Sequence, residues 1–492
     1  MKKSILFFYL LLIILPGCKK LDLVPISTKS TEAFYQTETH INQALLGGYN
    51  GLRNAWVTSD GSYMLTESRS DNTFQGQAYN DGNISRFEVS PELPVLYTTW
   101  SNYYNYIYRC NKILDEIGAI QMDDVKKKQY QAEAKFLRAL FYFDLVRLFG
   151  GVPLITTPVT IDESYKINRS TVDEVYGLIV QDLTEAAELL PASYVTANQG
   201  RATKWAAKGY LGKVYLFRSG YPLKKNEWSK ASQLFKEIMV SGQFTFLPKY
   251  EDNYNYAFEG GKQQVFSILF KSGQSGNGNP FPTRNASNDI SPVSTTLGGL
   301  PFGGSPFNLF LSKDFINSFE FGDLRKNASI LSSWLHKSGQ TITTLPTSKK
   351  YQNGPVAGPN DWDIDWIALS YTDVLMMYAE SINEISYIPD GEAFTIINNV
   401  RQRAGLIPKT AANVPNQQSF RLWIEEERRH EFAFENLRWF DLVRTDRAFD
   451  VMKAFLKQYS MDNNIKSRDQ YLYPIPQSVR DITPILAQNP GY

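Results

Sequence analysis

Residues 203–240 read TKWAAKGYLGKVYLFRSGYPLKKNEWSKASQLFKEIMV. Thr203 is an N-capping residue type and Gly220 a helix stop, so the first half predicts one helix. The apolar spacing predicts a second helix from Trp228 to Val240. Leu211-Gly212-x-x-Tyr215 lies on the first helix and Ala231-x-x-x-Phe235 on the second. Gly212 and Ala231 let two helix axes approach closely. Tyr215 and Phe235 fill the gap that remains. The stretch therefore predicts a packed helical hairpin.

The same spacing matches the two halves of a tetratricopeptide repeat, with the usual Trp displaced and a longer inter-helix loop. Further helices are expected over 100–117 and 127–149, the latter stopped by Gly150-Gly151-Val152-Pro153. Thr171 with Glu174 forms a capping box for a helix running to Pro191. A second pair, 374–386 and 391–403, predicts another hairpin. The expected fold class is mostly α: a tetratricopeptide-like helical-hairpin scaffold carrying an irregular, loop-rich region.

That region runs from about 244 to 365. It contains one strand-like run, Val265 to Phe270, followed by a stretch crowded with Gly, Asn, Ser and Pro from 271 to 305. Structureless loops of this length are usually functional. A second polar loop covers 71–94. Aromatic rings in such loops can stack on the C–H faces of sugars, while amides and carboxylates take the hydroxyls. The candidate binding residues are Phe74, Tyr79, Asn80, Asp81, Phe281, Phe302, Phe307 and Trp362, with Asp71 and Asn72 as further hydroxyl partners. The competing reading is that each ring plugs its loop onto the core.

The chain of 492 residues carries 51 Lys+Arg against 50 Asp+Glu, a net charge of +1. Nucleic-acid binding by a basic surface is excluded, since counterion release needs clustered cations. With 43% hydrophobic and 14% aromatic residues the chain is core-forming, not disordered. Two cysteines exclude a disulfide scaffold and a Cys-based zinc site. Cys110 sits in a helical apolar stripe and is expected to be a buried thiol.

Catalytic and metal motifs are weak. His430-Glu431-Phe432-Ala433-Phe434 lacks the second His of HExxH. Residues 425–431 read as a charged helix face with ion pairs, and Arg438, Asp441 and Arg444 as a salt-bridge ladder. Asp361-x-Asp363-x-Asp365 lacks the Gly and Glu of a calcium loop. No GxxxxGK(S/T) phosphate loop is present, and with His40, His336 and His430 as the three histidines no Ser-His-Asp arrangement follows from spacing. No catalytic residue, metal or cofactor is expected.

At the start, Lys2 and Lys3 precede an apolar run from Ser4 to Leu15, too short to span a bilayer and suited to a signal peptide. It ends Leu15-Pro16-Gly17-Cys18, which resembles a bacterial lipobox. Cys18 is then the lipidation site, and residues 18–30 a tether.

Several blocks together resemble the SusD/RagB family of outer-membrane nutrient-binding lipoproteins. They are Glu133-Ala134-Lys135-Phe136-Leu137-Arg138-Ala139-Leu140 with Phe149-Gly150-Gly151-Val152-Pro153-Leu154, and Val400-Arg401-x-Arg403-Ala404-Gly405. Glu427-Arg428-Arg429-x-Glu431-Phe432-Ala433-Phe434-Glu435 leads into Arg438-Trp439-Phe440-Asp441, and the chain closes with Tyr473-Pro474-Ile475-Pro476 and Asn489-Pro490-Gly491-Tyr492. Asn436 departs from the family's Gly. The order of patterns along the chain predicts a division into signal peptide 1–17, tether 18–30, N-terminal scaffold 31–243, loop-rich ligand-binding region 244–365 and C-terminal helical region 366–492. The resemblance implies a non-catalytic binder of glycan, or in some members peptide, lipid-anchored in the outer membrane and facing outward. The implied partner is a SusC-like TonB-dependent barrel that imports the ligand. A surface glycoside hydrolase using two carboxylates about 5–10 Å apart is the alternative from another class.

Overall fold

A computed structural model describes residues 34–58, 62–74, 80–273, 276–284, 286–292, 300–304 and 310–492. Cys18, Tyr79 and Phe307 lie outside the described residues, as do the side chains of Asn80 and Asp81.

The longer helices are α1 (Glu38–Arg53), α2 (Pro94–Glu116), α3 (Asp124–Phe149), α4 (Val172–Leu189), α5 (Lys204–Ser219) and α6 (Trp228–Val240). After the loop-rich region come α7 (Tyr371–Ile385), α8 (Glu392–Arg403), α9 (Gln417–Glu431), α10 (Arg438–Arg444) and α11 (Ala448–Lys457). From α2 to α8 each helix packs on the next, and α1 lies against α2 and α3. The mostly α, tetratricopeptide-like scaffold is therefore present.

Local sequence explains the helix ends. Thr171 and Glu174 form the expected capping box, and the Thr203 hydroxyl accepts from the Ala206 amide at 3.2 Å. Gly150 closes α3 at φ +75°, a region a side chain would resist. Between α5 and α6 the predicted packing is seen. Phe235 is fully buried, and a Cβ on Gly212 would meet its ring at 2.6 Å. Tyr215 differs from expectation. It is half-buried, with the Lys230 ammonium 5.2 Å over its ring, so it seals the edge of the hairpin and does not fill the gap. Cys110 is buried as expected, and burial pushes its thiol up to about 12.

α6 packs directly on α7, although residues 241–370 separate them in sequence. The loop-rich region is thus an insertion between two consecutive layers of the scaffold. Its base is a two-stranded antiparallel ladder, Gln264–Ile268 with Trp366–Ser370. The sequence revealed only the first of these strands. Three shorter antiparallel ladders follow, pairing Ile330–Leu331 with Thr347–Ser348, Trp334–Leu335 with Thr341–Ile342, and Val356–Gly358 with Asp361–Trp362.

The charged face of α9 is paired as expected, but it points inward. Glu427, Arg428, Arg429, His430 and Glu431 are all buried. Arg428 bridges Asp373 at 2.7 Å and Asp441 at 2.9 Å, and Asp441 also pairs with Arg444 at 2.8 Å. Arg325 holds Asp323 at 2.7 Å and Glu427 at 3.0 Å. Arg438 leaves the expected ladder and pairs with Asp71 instead, at 2.8 Å. Buried charges are tolerated because each finds an opposite charge and further hydrogen bonds. Asn436 stands at φ +63°, a conformation that Asn visits more readily than other side chains.

Candidate ligand-binding loops

The two polar loops meet. Thr73 and Leu311 form an antiparallel bridge, and the Phe74 amide donates to the Phe310 carbonyl at 2.9 Å. Ser312 completes the seam, its amide donating to the Asn72 carbonyl at 2.9 Å and its hydroxyl to the Asp71 carbonyl at 2.7 Å.

Beneath this seam lie Asp71 and Asn72, which are buried and unavailable to a ligand. Asp71 takes both Arg438 nitrogens, at 2.8 and 2.9 Å, and Arg429 at 3.0 Å. Burial disfavours its charge, but the two guanidiniums win and hold its carboxyl well below the usual range. Asn72 accepts from Arg429 and donates to Glu67, both at 3.0 Å. Composition marked these residues as polar loop. Their arginine partners lie more than 350 positions away, so composition alone did not show their burial.

Three candidate rings are also plugs. Phe281 is 1% exposed and meets Tyr63, Tyr351 and Trp366 edge-on at 4.5–5.5 Å. Trp362 is 2% exposed, and its indole nitrogen donates to the Thr283 hydroxyl at 2.7 Å. Phe74 is half-buried, stacked on Tyr459 at 3.6 Å between ring centroids. All three bury apolar area that an open loop cannot supply.

Phe302 differs from these plugs. It is 50% exposed at φ +69°, a strained backbone for a bulky residue. Such strain persists where surrounding structure imposes it, often at functional positions. Gly303 and Gly304 pack its turn onto the backbone of 286–290. That segment hydrogen-bonds to the hairpin at 334–342: the Ser291 amide donates to the Leu335 carbonyl at 2.7 Å, and the Lys337 amide to the Asp289 carbonyl at 2.9 Å. On these two hydrogen-bonded segments Asn288, Asp289 and Lys337 are exposed and His336 is half-exposed. These polar residues were missed from sequence. The Ser338-Gly339 turn signal between Trp334-Leu335 and Thr341-Ile342 was the available hairpin signal.

Asn80 begins a short helix, Asn80–Ser85, which also contains Asp81. The Asp361, Asp363 and Asp365 carboxylates bind protein donors: the Gly273 amide at 3.0 Å, Lys271 at 2.6 Å and the Phe270 amide at 2.9 Å. They lace the loop onto its base. Among the described residues no group of His, Cys, Asp and Glu has a metal-holding arrangement. His430 sits beside Ser318, its ring nitrogen 2.8 Å from the hydroxyl, and burial pushes its pKa well below the ordinary value.

Two family models match the chain: a SusD-like model described as "Starch-binding associating with outer membrane" over residues 20–216, and the SusD family model over residues 332–492. SusD-like protein P25 of Formosa agariphila is 28% identical, covering 94% of each chain. A SusD superfamily crystal structure from Parabacteroides distasonis matches with a TM-score of 0.77 at 26% identity, covering 92% of this chain and 99% of that one. A laminarin-binding SusD-like protein matches in fold with a TM-score of 0.78 at 24% identity, covering 93% of this chain and 100% of that one. Family models, curated relatives and structural neighbours agree, and the chain belongs to the SusD/RagB family.

Proposed function

We propose that this protein is a non-catalytic glycan-binding lipoprotein of the outer membrane that hands its ligand to a SusC-like TonB-dependent barrel. The observation that carries the reading is Phe302, a half-exposed ring on a strained turn that packs on the segment bearing the exposed Asn288 and Asp289. A flat ring offers a face for sugar C–H groups, and the polar groups match sugar hydroxyls. The starch-binding and outer-membrane wording of the matching family model supports this, as does a laminarin-binding structural neighbour. Lipidation at Cys18 rests on the Leu15-Pro16-Gly17-Cys18 sequence. The barrel partnership and outward display rest on family membership.

The test is a panel of polysaccharides challenged with the purified chain. Retention of at least one glycan without released products supports the proposal. Product release would make the protein a hydrolase, and retention of none would remove the glycan reading.

A further inference from the structure

A cavity of about 480 Å³ lies away from the Phe302 turn, between α1, the turn at 197–201 and the strand Gln264–Ile268. Amides from Asn50, Asn198, Gln199 and Asn277 line it, together with Arg53 and Arg201. No carboxylate is among its lining residues. Arg201 is neutralised from behind by Glu133 at 2.9 Å.

Arg53 differs. It has no carboxylate partner among the described residues. One terminal nitrogen donates to the Asn277 side-chain oxygen at 2.7 Å, its Nε is buried without an acceptor, and the guanidinium lies 5.9 Å from the Phe270 ring centre. Burial lowers its pKa, with no neighbouring charge raising it. Elsewhere buried arginines such as Arg138, Arg428 and Arg444 hold carboxylates directly. A guanidinium partly removed from water with no carboxylate beside it is costly unless an anion joins it. The rim adds apolar area from Leu46, 50% exposed, and Leu269, 41% exposed. Apolar rim, amide walls and one uncompensated cation fit a polyhydroxylated ligand bearing a single anionic group.

We propose that this cavity is a second saccharide subsite that takes an acidic sugar, its carboxylate or sulfate ester paired with Arg53. The inference rests on the glycan-binding reading for the saccharide body. Its own content is the anion.

The full chain is titrated at low salt with methyl glucuronide against methyl glucoside, and with galactose 6-sulfate against galactose. At least one charged sugar is expected to bind roughly ten-fold or more tighter than its neutral counterpart, the increment of a charge-assisted pair. A glucuronide preference assigns the carboxylate and a sulfate preference the ester; either supports the proposal. Arg53→Gln should erase the preference and Arg53→Lys keep part of it, with unchanged melting temperatures. Leu269→Asp places an anion at the exposed rim and should also erase it, which decides the matter if Arg53→Gln does not fold. Equal binding of charged and neutral sugars, or a preference that survives these variants, overturns the proposal. Failure here with polysaccharide retention intact strikes only this inference. Retention of no polysaccharide strikes the function reading.

Discussion

The hairpin α5–α6 and the inserted loops use the same residues for opposite ends. Phe235 and Phe302 are both phenylalanines beside glycines, yet one is fully buried and the other half-exposed. In the hairpin, Gly212 removes a side chain so that a helix can receive the Phe235 ring. In the loop, Gly303 and Gly304 let the backbone fold back under Phe302 and leave its ring outside. Yet Phe281 and Trp362, within the inserted segment, behave like Phe235. Polar surroundings in sequence therefore do not separate a binding ring from a plug. What separates them is a partner from elsewhere in the chain.

Breaking the seam beneath the loops is expected to have the largest effect. Asp71→Ala leaves Arg429 and Arg438 buried without their shared carboxylate, a loss of about 3–5 kcal/mol. Chemical denaturation measures it. A loss under about 1 kcal/mol would mean that water reaches the seam.

Next come the buried rings. Phe235→Ala and Phe281→Ala should each cost about 3–5 kcal/mol, making scaffold and insertion equally dependent on their plugs. If Phe281→Ala leaves the melting temperature unchanged, the insertion contributes no core. Phe74→Ala should fall between, at about 1–2 kcal/mol, because its ring is half-buried on Tyr459. A value near zero would restore Phe74 as an open ring.

The smallest effect is a slope with pH. Glu67, Glu259 and Asp365 are all raised to about 7, with desolvation the chief cause. The folded protein then binds protons that the unfolded chain has released. Stability from these groups is present below their ordinary carboxylate range and is lost as pH rises through 7. Buried, neutral His430 pulls the other way below its ordinary 6.5, but it is one group against three. The melting temperature should therefore decline from pH 5 to pH 8. A rising profile would show that these carboxyls are solvated.

The scaffold was legible in the sequence because its signals are local. Thr171 with Glu174, Thr203, Gly150 and the Gly212–Phe235 spacing all act within one helix or one hairpin. The insertion was legible as a place but not as a surface. The strand Trp366–Ser370, the burial of Asp71 and Asn72, and the inward turn of α9 each depend on contacts across more than fifty residues. Glu427 to Glu431 looks solvent-facing by composition, and the matching acids and bases from α7, α8 and α10, together with Arg325 and Asp71, make its burial possible. Phe302 was singled out by composition, and its exposure distinguishes it from the plugs chosen on the same ground.

The claim that recognition sits on an exposed ring while stability sits beneath it is tested most directly by Phe302→Ala. Melting temperature and retention of whichever polysaccharide the wild type holds should be measured on the same preparation. The expected result is a stability change within about 0.5 kcal/mol together with a clear loss of retention. Unchanged retention, or loss of retention only through unfolding, would contradict it.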